Sequence, residues 1–221
     1  HTLAALVMFH IIVETETFLK YYNCYVFGTA IFVILAGIAM ILRHERMQRA
    51  GKTDREYYVT LVNRSLLLFG IAMLITLVTW IAYRVFLDSN DAIVFGFLHM
   101  LSISMLIAVP LLRFKKWNLL FGLAIMGIGT LLIPHFTSPE WLFPIGIHSA
   151  EFLAHTPDYF PLFPWTGVLL LGVGLGNVFY PNGIRGFTLK YVPGKILQAM
   201  AKLGHGTVTL FIYIIHMPII F

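Results

Sequence analysis

Seven stretches of the chain run without a single Lys, Arg, Asp or Glu: His1–Val13, Cys24–Leu42, Ser65–Tyr83, Ala92–Leu112, Trp117–Pro134, Tyr159–Ile184 and Leu203–Phe221. A bilayer core about 30 Å thick is crossed by roughly 20 apolar helical residues, and most of these stretches come close to that length or exceed it. Their apolar residues are continuous and do not alternate at period two, which favours helices over the short strands of an outer-membrane barrel. The expected fold is all-α: a polytopic transmembrane helix bundle of about seven spans. Because the first stretch is the shortest and the chain opens on His1, the first span is read as truncated, its opening turns lying before residue 1.

Composition supports the same class. Hydrophobic residues make up 59% of the chain and charged ones 11%, with a mean hydropathy of +0.84, which excludes a disordered, collagen-like or coiled-coil chain. Cys24 is the one cysteine, so neither an intrachain disulfide nor a Cys-based zinc site can form. No Ser- or Pro-rich linker interrupts the sequence, and residues 1–221 read as a single integral membrane domain.

The placement of charge then orients the spans. Thirteen of the fifteen basic residues lie between the second and third, fourth and fifth, and sixth and seventh stretches: Arg43, Arg46, Arg49, Lys52, Arg55, Arg64, Arg113, Lys115, Lys116, Arg185, Lys190, Lys195 and Lys202. The alternate side holds only Lys20 and Arg84, but seven of the ten acids: Glu14, Glu16, Asp88, Asp91, Glu140, Glu151 and Asp158. Under the positive-inside rule the first set is cytoplasmic and the second faces outward, as in a cell-membrane protein. The net charge of +5 is thereby accounted for without a nucleic-acid partner. Residues 135–158 are expected to cap an outward-facing cavity, and residues 183–202 to lie along the cytoplasmic leaflet.

Ionisable groups inside a span are costly, so each is first read as functional and then weighed against packing. His10, His99 and His216 fall at similar depth in the outer half of the expected bundle. His10 has Glu14 at i+4 on the same helical face, about 6 Å further along the axis. A histidine positioned by a carboxylate suits a general base, although an interfacial His beside a loop Glu explains the pair equally well. For His99 and His216 a hydrogen bond that fixes helix packing is the stronger reading. Gly172, Gly174 and Gly176 in LLLGVGLGN lack the preceding strand and following acid of a dinucleotide site, and are read as permitting close helix contact. No metal is expected, since no HExxH or His-x-His cluster is present.

With these residues in hand, several stretches resemble one known family. They are LVMFH ending at His10, TAIFVILAGIAM at Thr29–Met40, FGFLHMLSISMLIAVPLL at Phe95–Leu112, DYFPLFPWTGVLLLGVGLG at Asp158–Gly176, and IYIIHMPIIF at the end, with its YxxHxP. Together they resemble the heparan-alpha-glucosaminide N-acetyltransferase catalytic domain family, in its prokaryotic branch, which is similar to the acyltransferase-3 group. The resemblance implies a multi-helix membrane enzyme that takes an acetyl or other acyl group from cytosolic acyl-CoA and passes it to a sugar or glycoconjugate on the opposite face. In the acyltransferase-3 pattern an Arg stands eleven positions before a His in the first helix. His10 matches that His, and the Arg position falls before residue 1.

The roles that follow from the resemblance are expectations. His10 takes a proton from the acceptor or receives the acyl group itself, oriented by Glu14, with Asp158 as a competing carboxylate partner. Tyr159 and Trp165 stack on the acceptor sugar, unless they are interfacial anchors. Arg64, Arg113, Lys115 and Lys116 meet the phosphates of acyl-CoA, although the positive-inside rule alone also explains such residues. Two other classes stand beside the enzyme: a proton-coupled transporter using the same histidines, and a non-catalytic lipid-binding bundle. The partners expected are the bilayer, acyl-CoA and the acceptor, and homo-oligomers are compatible with such a bundle.

Overall fold

A computed structural model describes residues 16–86, 88–156 and 158–188, with the backbone alone described at 16–25, 140, 150 and 154. The chain divides into two compact units, His1–Tyr22 with Phe187–Phe221 and Asn23–Gly186. In the first unit residues 16–22 are helical. The second is an α-helical bundle, and among its described residues β-pairing amounts to one isolated parallel bridge, Phe95 with Tyr159.

The helices are α1 (Glu16–Arg49), α2 (Asp54–Phe86), α3 (Phe97–Leu111), α4 (Asn118–Gly127), α5 (Ala150–Ala154) and α6 (Leu162–Phe179). Four stretches of the described residues are long and apolar enough to cross a membrane: Val26–Arg49, Asp54–Phe86, Phe97–His135 and Leu162–Phe179. The third is interrupted by a 3-10 segment, Leu112–Trp117, where Lys115 leaves the helical region at φ 46°, ψ −119°. Beyond α4 the chain passes through a π-helical turn, Ile128–Leu132, and a 3-10 turn, Ile133–His135. The first and seventh expected spans, His1–Val13 and Leu203–Phe221, lie outside the described residues, as does most of the expected interfacial segment 183–202.

Local chemistry sets the helix ends. α1 stops where Gly51 adopts φ +76°, and the Lys52 N–H bonds the Met47 carbonyl at 3.0 Å while the Gly51 N–H bonds that of Gln48 at 2.9 Å. This pairing satisfies carbonyls that a helix end leaves open. α2 starts two residues later with a reciprocal cap. The Glu56 carboxylate accepts the Thr53 N–H at 2.8 Å and the Thr53 hydroxyl accepts the Glu56 N–H at 3.3 Å, the pattern that Thr-x-x-Glu encodes.

α6 packs against α1, α3 and α4, and α2 packs on α3. The glycines of α6 make this possible. A Cβ on Gly167 would stand 2.6 Å from the Gly122 carbonyl oxygen of α4, and one on Gly174 would stand 2.7 Å from the Leu119 side chain. On the opposite side Gly172 lies against the backbone of Ile34, and Gly176 against Ile38 and Ile41 of α1. The small residues of LLLGVGLGN thus serve close helix contact, as expected from their place in an apolar run. Away from these seams α2 exposes Leu66, Leu67, Met73, Leu74, Leu77, Val78 and Ile81, an apolar face suited to lipid.

Candidate active site

The bundle gathers its basic turns at one end. Arg49 donates to the Asn182 carbonyl at 2.6 Å, His44 bonds Asp54 at 2.8 Å, Lys115 lies within electrostatic reach of Asp54, and Arg113 within reach of Tyr58. Arg64 is exposed and lies within electrostatic reach of Arg43 and Tyr57. Of the four expected donor-binding residues, Arg64, Arg113 and Lys115 are thus brought to the same end, and Lys116 follows in the same turn. The Arg113 guanidinium lies 4.8 Å above the Phe114 ring. Asn118 pins the turn by donating to the carbonyls of Leu111 and Lys115, both at 2.9 Å.

The opposite end holds His99 and Asp158, both buried. They meet at the N-terminus of α3 and hold successive amides: the Gly96 N–H donates to His99 Nδ1 and the Phe97 N–H to Asp158 Oδ2, each at 3.3 Å. A carboxylate there is favoured by the open amides and the helix dipole. Gly96 is required for the approach, since a Cβ would come within 2.5 Å of Asp158 Oδ2 and 2.7 Å of Ile93 Cγ2. Because Nδ1 accepts, the proton of a neutral His99 sits on Nε2, which faces the Thr76 hydroxyl at 3.3 Å. That hydroxyl in turn donates to the Ile93 carbonyl at 2.6 Å. Both ring nitrogens of His99 are therefore engaged in holding residues 93–97 against α2.

Tyr159 and Trp165 have different ring partners near this corner. The Tyr159 hydroxyl donates to the Phe143 carbonyl at 2.6 Å, and its ring meets His148 edge-on at 4.9 Å and Phe152 at 5.5 Å. Tyr159 precedes α6, and burial raises its phenol above the ordinary range, so it remains a neutral donor. Trp165 packs on Phe160 at 5.2 Å. The 135–158 segment folds into this aromatic cluster through Phe143, His148 and Phe152, and the Leu162 N–H bonds the Pro144 carbonyl at 2.7 Å. His10, Glu14 and His216 lie outside the described residues. No group of three or more His, Cys, Asp or Glu suited to a metal occurs among the described residues.

Sequence reasoning missed Thr76, Thr79 and the pair Asp91–His155, whose Oδ1 and Nδ1 stand 2.7 Å apart. Thr79 could not be singled out by spacing, yet its hydroxyl accepts the Ile93 N–H at 3.3 Å. Asp91 and His155 are 64 residues apart, so no local pattern joins them.

A family model described as heparan-alpha-glucosaminide N-acetyltransferase, catalytic, matches residues 1–218. The chain belongs to this family. No curated protein and no solved structure matches it. Membership implies an acetyltransferase-like activity in a membrane, and the apolar helices fit an integral membrane protein of that kind.

Proposed function

We propose that the chain transfers an acetyl or other acyl group from cytosolic acyl-CoA to a sugar or glycoconjugate at the outer face of the cell membrane. The observation that carries this reading is the family match over residues 1–218. The separation of polar groups supports it: basic residues at one end of the bundle suit the phosphates of coenzyme A, and the carboxylate and histidines at the other suit an uncharged or cationic acceptor. Arg64, Arg113, Lys115 and Lys116 bind the donor, with the basic loops cytoplasmic. His10 is the reactive imidazole, receiving the acyl group or the acceptor's proton, and Glu14 orients it. Asp158 holds the acceptor end of the site in register through the Phe97 amide, and Tyr159 and Trp165 border the acceptor. His216 and His99 stand as secondary candidates. No metal is assigned a role.

The test is acyl transfer by the purified chain from acetyl-CoA to a panel of amino sugars and neutral sugars. His10→Ala should lower transfer about 10²- to 10⁴-fold, the usual contribution of a proton-transferring side chain, while acetyl-CoA binding persists. Transfer at the unaltered rate by His10→Ala removes His10 from the chemistry. An absence of transfer from acetyl-CoA by the intact protein to every acceptor refutes the acyltransferase reading.

A further inference from the structure

At the end of the bundle that holds Asp158 and His99, one side-chain pair is left unused by the proposed mechanism. His155 follows α5, and Asp91 lies in the non-helical segment before α3. Asp91 Oδ1 and His155 Nδ1 are 2.7 Å apart, and the Ala92 N–H donates to the His155 carbonyl at 3.3 Å. The Asp91 N–H is itself held by the Ser89 hydroxyl at 3.2 Å. The imidazole is thus tied to the same short segment through its ring and through its own backbone.

An ionised carboxylate only accepts hydrogen bonds, so the proton of His155 sits on Nδ1 and the lone pair on Nε2. Nε2 makes no hydrogen bond among the described residues. The exposure is unequal: the His155 side chain is 65% exposed and that of Asp91 20%. A sheltered carboxylate that fixes the tautomer of an open imidazole is the arrangement of a general base. The site is also close to the buried corner. His155 stands three positions before Asp158, so their Cα atoms are at most about 11 Å apart, and the Phe160 N–H bonds the Phe95 carbonyl at 3.0 Å to join the same two segments.

The geometry points to His155, oriented by Asp91, as the group that takes the acceptor's proton. This inference rests on the acyltransferase reading and leaves to His10 the acyl-receiving role. As the acceptor oxygen or nitrogen bonds to the acyl carbon, its bond to hydrogen breaks and the proton passes to His155 Nε2. The acyl carbon's bond to its carrier breaks with the electron pair, the carrier takes a proton from water, and the imidazolium returns its proton to water at the outer face. Protons and charge balance without any further reactant.

The experiment uses the full chain in sealed vesicles, with acetyl-CoA on the side of the basic loops and glucosamine on the other. His155→Asn keeps a donor toward Asp91 but has nothing at the Nε2 position, whereas His155→Ala removes both. Both variants should lose about 10²- to 10⁴-fold in transfer, and His155→Asn should unfold at the wild-type temperature. Imidazole added on the glucosamine side should raise the rate of His155→Ala in proportion to its concentration. Wild-type transfer by His155→Asn, or a loss in His155→Ala that follows its stability and is not rescued, reduces the pair to a clasp between two segments and overturns the proposal. If the wild-type chain transfers nothing in the same vesicles, the acyltransferase reading fails, and the role of His155 falls with it.

Discussion

The seam between α1 and α6 offers a test of the packing in which chemically identical substitutions have opposite signs. A Cβ added at Gly37 would stand 2.7 Å from the Val173 nitrogen and 2.9 Å from the Gly172 carbonyl carbon, and would meet the Leu169 carbonyl oxygen as well. All three are backbone atoms of one helix, so no side chain can swing away. Restoring ordinary separations of about 3.5 Å requires the helices to part by roughly 0.8 Å or more. A gap of that order forfeits a quarter to a half of the dispersion attraction along the seam. Overpacking of this kind costs about 1–3 kcal/mol, and with an immovable backbone the upper part of that range applies. Alanine recovers about 1 kcal/mol of helix propensity, leaving Gly37→Ala destabilised by about 1–2 kcal/mol. For a chain of this size that lowers the unfolding temperature by about 2–8 °C. Gly28→Ala and Gly70→Ala are the controls, because nothing lies within 4 Å of either added Cβ; propensity alone acts there, and the unfolding temperature should hold or rise. Gly37→Ala with Gly172→Ala should cost less than the sum of the two, since one separation relieves both contacts. Thermal unfolding of the detergent-solubilised variants measures all of these. If Gly37→Ala proves at least as stable as Gly70→Ala, the close seam between α1 and α6 is wrong.

Three further outcomes are expected. His99→Leu should destabilise by about 1–3 kcal/mol, the cost of leaving the buried Gly96 amide without its acceptor, with His99→Gln losing less; a variant that unfolds normally but has lost all transfer would instead put His99 in the chemistry. Replacing Arg113, Lys115 and Lys116 together by Gln should weaken acetyl-CoA binding, by a factor that shrinks at high salt because the wild-type attraction is itself screened, and unchanged affinity in a correctly inserted variant refutes the donor assignment. With Cys24 replaced, single cysteines at Gln48 and Lys115 should react in intact cells only with membrane-permeant reagents and one at Ser149 with impermeant ones, and the reverse pattern overturns the orientation.

What the sequence makes legible, and what it hides, divides along physical lines. Charge-free windows mark where lipid touches the chain, not where helices end. α2 therefore begins at Asp54, well before the window that opens at Ser65, because the Thr53–Glu56 cap starts a helix whatever solvent surrounds it. The window opening at Ala92 errs in the other direction, since its first five residues are not helical and α3 begins at Phe97. Apolar composition cannot reveal that, but the consequence explains four polar side chains near this end of the bundle. A non-helical segment has amides and carbonyls that no helix satisfies, and next to lipid they need partners from the protein. Thr79 takes the amide of Ile93 and Thr76 its carbonyl; His99 takes the amide of Gly96 and Asp158 that of Phe97. Apart from His99 and Gly96, three positions apart, these partners are too distant in sequence for local spacing to join them, since spacing suggests pairs only within a helical turn or two, such as His10 and Glu14. The rule that an ionisable group within a membrane is functional by default is therefore discounted wherever such a backbone duty is found. His99 has that duty directly at Nδ1, and at Nε2 through the Thr76 hydroxyl that bonds the Ile93 carbonyl. His155 has it at none, for its ring bonds a carboxylate through Nδ1, and that difference moves the weight of the chemistry from the buried histidine to the exposed one.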